Sequence, residues 1–245
     1  MSPGLLRALF ITDPLIIVAT IIMGPVNLAM SFFDPSGRVQ VAIARSWSRL
    51  LLKIAGVRVD LSGMEKISPK GSYVFASNHA SYMDTPVVLA LIPVQFRFLA
   101  KKGLFHIPFL GHHLKRAGHI PVPRDNPREA LKMMAEAGRA VKERGISLLI
   151  FPEAGRTRTG ELLPFKEGAA YIAIKAGVPI VPIALSGTRE VLPMGSLNVR
   201  PGRVEMRVGD PIPTESLTLH DRSRLTAEIY EKVAEMLGKP VEAKT

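Results

Sequence analysis

The sequence predicts an α/β domain with a mostly parallel or mixed central sheet flanked by helices, preceded by an N-terminal membrane-associated helical hairpin. From Val57 onward, short apolar β-like runs alternate with helical stretches, the pattern of strands joined by crossover helices. Polar clusters follow two of those runs, at the C-terminal strand ends where open α/β sheets place their chemistry. Ahead of them, Leu15 to Phe33 holds no charged residue over nineteen positions. With 245 residues, the chain fits one large domain plus an appendage and readily buries a core.

Taken in order, the apolar run is close to the ~20 residues that a spanning helix needs, although Gly24, Pro25 and Asn27 interrupt it. It makes a poor cleavable signal, because the stretch before it has only Arg7, followed by Asp13, and the run is long. Asp34-Pro35-Ser36-Gly37 forms a turn. Beyond that turn Arg38, Arg45, Arg49 and Lys53 alternate with Val41, Ile43, Trp47, Leu50, Leu51 and Ile54. This is a basic amphipathic helix, ending at Ala55 and suited to a membrane surface. Residues 1–56 are expected to be a membrane-associated two-helix segment, its cations favouring a cytoplasmic body. Whether it spans the bilayer or sits in one leaflet stays open. Residues 57–238 make the α/β domain and 239–245 a frayed tail.

Expected strands are Val57 to Leu61, Tyr73 to Ala76, Phe96 to Ala100, Ile146 to Phe151, Ile180 to Leu185 and Val204 to Val208. Expected helices are Pro86 to Leu91, Pro127 to Glu143, Gly168 to Ala176 and Arg222 to Leu237. Asn126-Pro127 starts the second of these helices and Gly145 stops it. Ser68-Pro69-Lys70-Gly71 is a turn.

Composition narrows the function classes. Hydrophobic residues make up 47% of the chain and the mean hydropathy is +0.19. The formal net charge is +11, which suits an anionic partner such as a lipid headgroup, a phosphorylated substrate or a nucleic acid. Nucleic acid is disfavoured, because no recognised module is present and stacking aromatics are sparse. Cysteine is absent, so disulfides and thiolate chemistry are excluded. His106, His112, His113 and His119 lie close together, but no metal motif or neighbouring carboxylate accompanies them. They are expected to be surface or interfacial, and no metal is expected.

Two clusters carry chemistry. His79 and Asp84 stand five residues apart in Asn78-His79-Ala80-Ser81-Tyr82-Met83-Asp84. That spacing does not face on a continuous helix, so contact requires a turn, with Asp84 in the first helical turn. There Asp84 would hold one ring nitrogen's proton and leave the other as a base. Ser81 suggests a hydrolase, but no G-x-S-x-G elbow is present. The second cluster is Phe151-Pro152-Glu153-Ala154-Gly155-Arg156-Thr157. Gly155 to Gly160 has phosphate-loop spacing, yet Glu161-Leu162 stands where the Lys-Ser/Thr pair belongs, so triphosphate binding is not supported. Arg156 and Arg158 suit a phosphate.

Together these segments resemble the glycerolipid acyltransferases of the lysophosphatidic acid acyltransferase type. Asn78, His79 and Asp84 match the N-H-x-x-x-x-D block. Ala100-Lys101-Lys102-Gly103-Leu104 matches the basic segment, and Gly118 to Arg124 the glycine-to-arginine segment. Phe151 to Thr157 matches F-P-E-G-T-R-S, and Val178 to Ala184 the final apolar block. The five occur in the family's order over residues 55 to 210. Ala154-Gly155 replaces Gly-Thr, which shifts the loop's backbone freedom by one position. Thr157 replaces Ser, and Gly103 stands where Glu is common.

The resemblance implies direct acyl transfer without a covalent enzyme intermediate. His79 would remove the acceptor hydroxyl's proton, with Asp84 orienting it and Asn78 positioning the turn. Lys101, Arg124 and Arg156 would hold the acceptor phosphate in a site shaped by Glu153, Gly155 and Thr157. The expected acceptor is lysophosphatidic acid, and the product phosphatidic acid. Another lysophospholipid, a lyso-aminolipid, or a non-catalytic basic membrane-binding role are the alternatives. The donor would be acyl-CoA or acyl carrier protein, with no cofactor. Drawing about fourteen methylenes into water would cost on the order of 11 kcal/mol, so the expected workplace is the cytoplasmic face of a membrane.

Overall fold

The computed structural model describes residues 3–123, 126–156, 159–196 and 198–239. The apolar N-terminus is helical throughout: α1 (Pro3–Arg7), a π-helical turn (Ala8–Thr12) and α2 (Asp13–Met30). The interruptions expected from Gly24 and Pro25 do not break it; Pro25 lies inside α2, at the loss of one backbone hydrogen bond. A turn at Asp34 to Gly37 leads into α3 (Arg38–Ala55).

The α/β body follows as β1 (Val57–Ser62), β2 (Val74–Ser77), α4 (Asp84–Leu91), β3 (Phe96–Lys101) and α5 (Leu110–Arg116). It continues with β4 (Ile120–Val122), α6 (Pro127–Arg144), β5 (Ser147–Ile150), α7 (Gly168–Ala176) and β6 (Ile180–Ser186). The last elements are α8 (Thr188–Val191), β7 (Gly202–Val208) and α9 (Arg222–Met236). The seven strands run β1-β7-β6-β2-β5-β3-β4. All neighbours are parallel except β6 and β7, so the sheet is mixed, as expected. The start of α6 follows the sequence signal: the Asn126 side chain accepts from the Glu129 amide at 3.1 Å, and Gly145 ends the helix in the left-handed region.

The three central strands are buried on both faces, which is why they read as continuous apolar runs. Alternate side chains of β2 feed two cores. Phe75 packs with Leu149, Ile183, Val87 and Val88 under α4. Val74 and Ala76 pack with Leu148, Ile172 and Ile229 under α7 and α9. The first core also takes in Leu52 and Ala55 of α3, with Ile16 of α2 packed against it.

One expectation about α3 is corrected by this docking. Its cations do not all face outward. Arg45 donates to the carbonyls of Ile92 (2.7 Å) and Val94, and Arg49 to that of Ala90 (3.3 Å). The physical reason is that carbonyls at and just beyond the end of α4 need partners, and α3 lies alongside with guanidinium groups to supply them.

Of the clustered histidines, His119 has an assigned job. Its Nδ1 accepts the Phe98 amide at 2.9 Å, so the ring is neutral. Burial, then His113 and Arg97, push its pKa down to about 3. A depressed histidine stabilises the fold above its unfolded pKa near 6.5, and that contribution is lost as pH falls from there toward 3. Between pH 6.5 and 5.5 the wild type is expected to lose about 1 kcal/mol from this group. Denaturant titrations of His119→Asn, which keeps an acceptor, are expected to lack that part of the loss.

Candidate active site

β2 is the middle of the sheet, and the chain leaves its C-terminal end through a turn that leads into α4. Asn78 fixes that exit. Its Nδ2 donates to the Leu185 carbonyl (2.9 Å) and its Oδ1 accepts the Leu185 amide (2.7 Å), so the whole amide group ties the turn to β6. Asp84, at the start of α4, folds the turn around one oxygen. Its Oδ2 lies 2.8 Å from His79 Nδ1 and accepts the amides of Ala80 (2.8 Å) and Ser81 (2.9 Å). The carboxylate is fully buried, and Oδ1 has no hydrogen-bond partner among the described residues. With Nδ1 engaged, Nε2 is the ring nitrogen that Asp84 leaves for chemistry. Ser81 is structural: its hydroxyl donates to the Leu192 carbonyl (2.8 Å) and accepts the Met83 amide (3.0 Å).

β5 delivers the second cluster beside the first. The ring of Phe151 stacks on His79 with centroids 3.8 Å apart and 12° between planes. Glu153 is spent on backbone rather than aimed outward: Oε1 accepts the His79 amide and Oε2 the Leu163 amide at 2.8 Å. Burial raises its pKa while the two amide bonds pull it back. Glu153 therefore couples the β2 turn to the loop after β5. Arg156 reaches across the same turn, donating to the Ser81 carbonyl (3.3 Å) and lying 4.2 Å over the Tyr82 ring. Lys101 closes β3, two strands from β2 in the sheet, or about 10 Å at ordinary strand spacing. Arg124 and Thr157 lie outside the described residues. Sequence reasoning missed the Phe151 stack, for which the aromatic directly before Pro152-Glu153 was the available signal. Among the described residues no group of three or more metal-ligating side chains gathers.

Ala154 and Gly155 correct a detail. Ala154, not Gly155, adopts positive φ, at 56°, so the loop's unusual backbone conformation has not moved to the neighbouring glycine. A Cβ on Gly155 would meet open space. An alanine in the left-handed region costs roughly 1–2 kcal/mol, partly offset by the entropy that glycine loses on folding. Ala154→Gly is therefore expected to raise stability by about 0.5–1 kcal/mol, and Gly155→Ala to leave it within about 0.5 kcal/mol. Thermal unfolding of the two variants checks both.

This is the equipment that group transfer calls for: a histidine held by a buried carboxylate, beside a cationic loop at the C-terminal ends of a sheet. The family model described as Acyltransferase matches residues 58–186. A 1-acyl-sn-glycerol-3-phosphate acyltransferase of Limnanthes douglasii is 34% identical over 195 residues, covering 78% of this chain and 69% of its own. The human 1-acyl-sn-glycerol-3-phosphate acyltransferase alpha is 32% identical over 166 residues, with 68% and 59% covered. In fold, the chain matches the crystal structure of the 1-acyl-sn-glycerophosphate acyltransferase PlsC from Thermotoga maritima with a TM-score of 0.77. That match covers 97% of this chain and 99% of the other, at 23% identity. The chain belongs to the acyltransferase family.

Proposed function

We propose that this protein transfers a fatty acyl group from an acyl thioester to the free hydroxyl of lysophosphatidic acid, giving phosphatidic acid. The observation that carries the reading is the buried Asp84–His79 pair at 2.8 Å, in a chain whose relatives bear that activity in their names. His79 Nε2 takes the hydroxyl proton as the oxygen attacks the thioester carbonyl. The C–S bond breaks, and the proton passes on to the leaving thiolate. Lys101, Arg124 and Arg156, with Gly155 and Thr157 in the same loop, receive the acceptor phosphate; a charge-assisted bond of this kind contributes about 1.5–3 kcal/mol. The donor is acyl-CoA or acyl carrier protein.

The acceptor arrives from a membrane. The helix over Gly4–Met30 is long and apolar enough to cross one and is only 17% buried. Phe10, Ile17, Val18, Ile21 and Ile22 are more than half exposed along it, a continuous apolar face of the kind that marks a membrane site. Yet α2 is tied to the body at both ends. Asp13 accepts the Val199 amide (3.3 Å) and Ser31 accepts Arg116 (3.4 Å), while Thr20 accepts Trp47 (3.1 Å) midway. A helix strapped along the body favours lying in one leaflet over spanning, and the flanking cations favour the cytoplasmic face. The Val199 amide that holds Asp13 and the Leu192 carbonyl that holds Ser81 belong to one connection. Its ends are joined by the Arg200 amide on the Val191 carbonyl (2.8 Å), so the start of α2 and the His79 turn are braced by the same connection.

Purified protein in phospholipid nanodiscs, offered a panel of donors and acceptors, tests the reading by lipid mass spectrometry. Lysophosphatidic acid is expected to be acylated at least tenfold faster than a lysophospholipid whose phosphate is esterified to choline. Equal rates on both would overturn the acceptor assignment.

A further inference from the structure

A second cationic site lies at the opposite end of the sheet from His79. A cavity of about 350 Å³ opens between the α2–α3 turn, the end of α5 and the end of α6, lined by Ser36, Arg38, Arg97, Arg116 and Arg144. A neighbouring cavity of about 180 Å³ shares Arg38, Arg97 and Arg144 and adds Lys70. Its walls come from the N-terminal ends of β3 and β5. The four residues of β5 alone set it about 13 Å of extended chain from the other end, where Glu153 and His79 lie. No described residue lining either cavity is acidic.

Arg97 is the informative member. It is only 4% exposed, and its guanidinium is held by the carbonyls of Ser36 (2.8 Å) and Phe96 (3.0 Å) and by Gln95 Oε1 (3.0 Å). All three partners are neutral. The acid in the turn, Asp34, is occupied by the amides of Ser36 (2.9 Å) and Val39 (2.7 Å). A buried cation without a hydrogen-bonded carboxylate is costly. Burial lowers the Arg97 pKa and the charge of Asp34 offsets only part of that, while three further guanidinium groups line the same cavity. Arg38 and Arg144 are exposed and make no side-chain hydrogen bond among the described residues.

We infer that this cavity is a phosphate-binding site, separate from the reaction centre, in which Arg38 of the hairpin and Arg97 and Arg144 of the body close on one anion. Guanidinium groups in a fork geometry suit phosphate oxygens. An anion there bridges the hairpin to the body and holds α2 and α3 in their docked position. The phosphate of a membrane lipid is the favoured source, an assignment that rests on the membrane reading of α2. Phe32 and Phe33 beside the turn are 62% and 80% exposed, and the Arg116 guanidinium lies 3.8 Å over the Phe32 ring, an aromatic–arginine pairing that suits a headgroup boundary.

The test is thermal unfolding of the full chain, titrated with inorganic phosphate in neutral detergent and, separately, with phosphatidylglycerol in phosphatidylcholine nanodiscs. The wild type is expected to show a saturable rise in midpoint. In the Arg38→Gln/Arg144→Gln double variant the half-saturating concentration is expected to rise about tenfold per arginine, near 100-fold in total. Arg156→Gln, at the proposed acceptor site, is expected to leave it unchanged. A rise with phosphatidylglycerol alone identifies a lipid headgroup, and an equal rise with inorganic phosphate identifies free phosphate. A half-saturating concentration unchanged in the double variant, no rise with either ligand, or a rise lost in Arg156→Gln overturns the site. Turnover is not the readout, so failure of the acceptor assignment would leave this result standing.

Discussion

His79→Ala is expected to lower acyl transfer by about 10²- to 10⁴-fold, the usual contribution of a positioned general base. The fold should survive. The variant loses the ring stack on Phe151, worth about 0.5–1.5 kcal/mol, while Asp84 keeps the amides of Ala80 and Ser81. Asp84→Asn is the sharper probe. Three hydrogen bonds converge on Oδ2, and Oδ1 has no partner among the described residues. An asparagine can only place its oxygen at the Oδ2 position, because its NH₂ there would meet two backbone N–H donors. The turn and the ring orientation are therefore retained, while the NH₂ left at the buried Oδ1 position without an acceptor is expected to cost about 1–3 kcal/mol of stability. A charge-assisted bond exceeds a neutral one by about 1–2 kcal/mol, which predicts a loss of roughly 5- to 30-fold. Because the two groups act as one unit, His79→Ala/Asp84→Asn should be no slower than His79→Ala alone. Thiol release measured with saturating acceptor, alongside thermal unfolding, decides. Near-normal turnover in folded His79→Ala sinks the mechanism, and additive losses in the double variant sink the pairing.

The parts of this site that were legible in the sequence are the local ones. The His79–Asp84 contact closes over five residues, and the cap at Asn126 over three, so spacing and residue type suffice. The central strands were legible because burial on both faces leaves unbroken apolar runs. β4 has only three residues and α5 only seven, too short for periodicity to register. What stayed hidden depends on strand order. Asn78 meets Leu185 across 107 residues and Glu153 meets His79 across 74, because β2 lies between β6 and β5. Nothing local to Asn78 announces that its amide will be used up on a neighbouring strand. The inward aim of Arg45 and Arg49 is hidden for the same reason: an amphipathic helix beside a membrane and one beside a buried carbonyl cluster share one sequence pattern.

Glu153 carries the other large effect, and there the conservative substitution is expected to fail. Both carboxylate oxygens accept a backbone amide, one from His79 and one from Leu163. Glutamine offers one oxygen and one NH₂, so whichever way it turns, a donor confronts a buried donor. Glu153→Gln is expected to cost about 1–3 kcal/mol, the penalty for one buried amide left unsatisfied. Glu153→Ala, which strands two, is expected to cost about 2–5 kcal/mol. Activity should fall further than stability explains. The His79 amide is the anchor that sets where the imidazole stands, and a displacement of about 1 Å at a reacting group lowers rate by about 10²-fold. If Glu153 instead bound substrate directly, Gln would retain hydrogen-bonding capacity, stability would hold, and the effect would appear in the acceptor KM. Unfolding midpoints and kcat measured together separate these cases. Wild-type stability with a raised KM would reassign Glu153 from brace to ligand contact, whereas lowered stability with lowered kcat confirms that one carboxylate holds the base in register with the cationic loop.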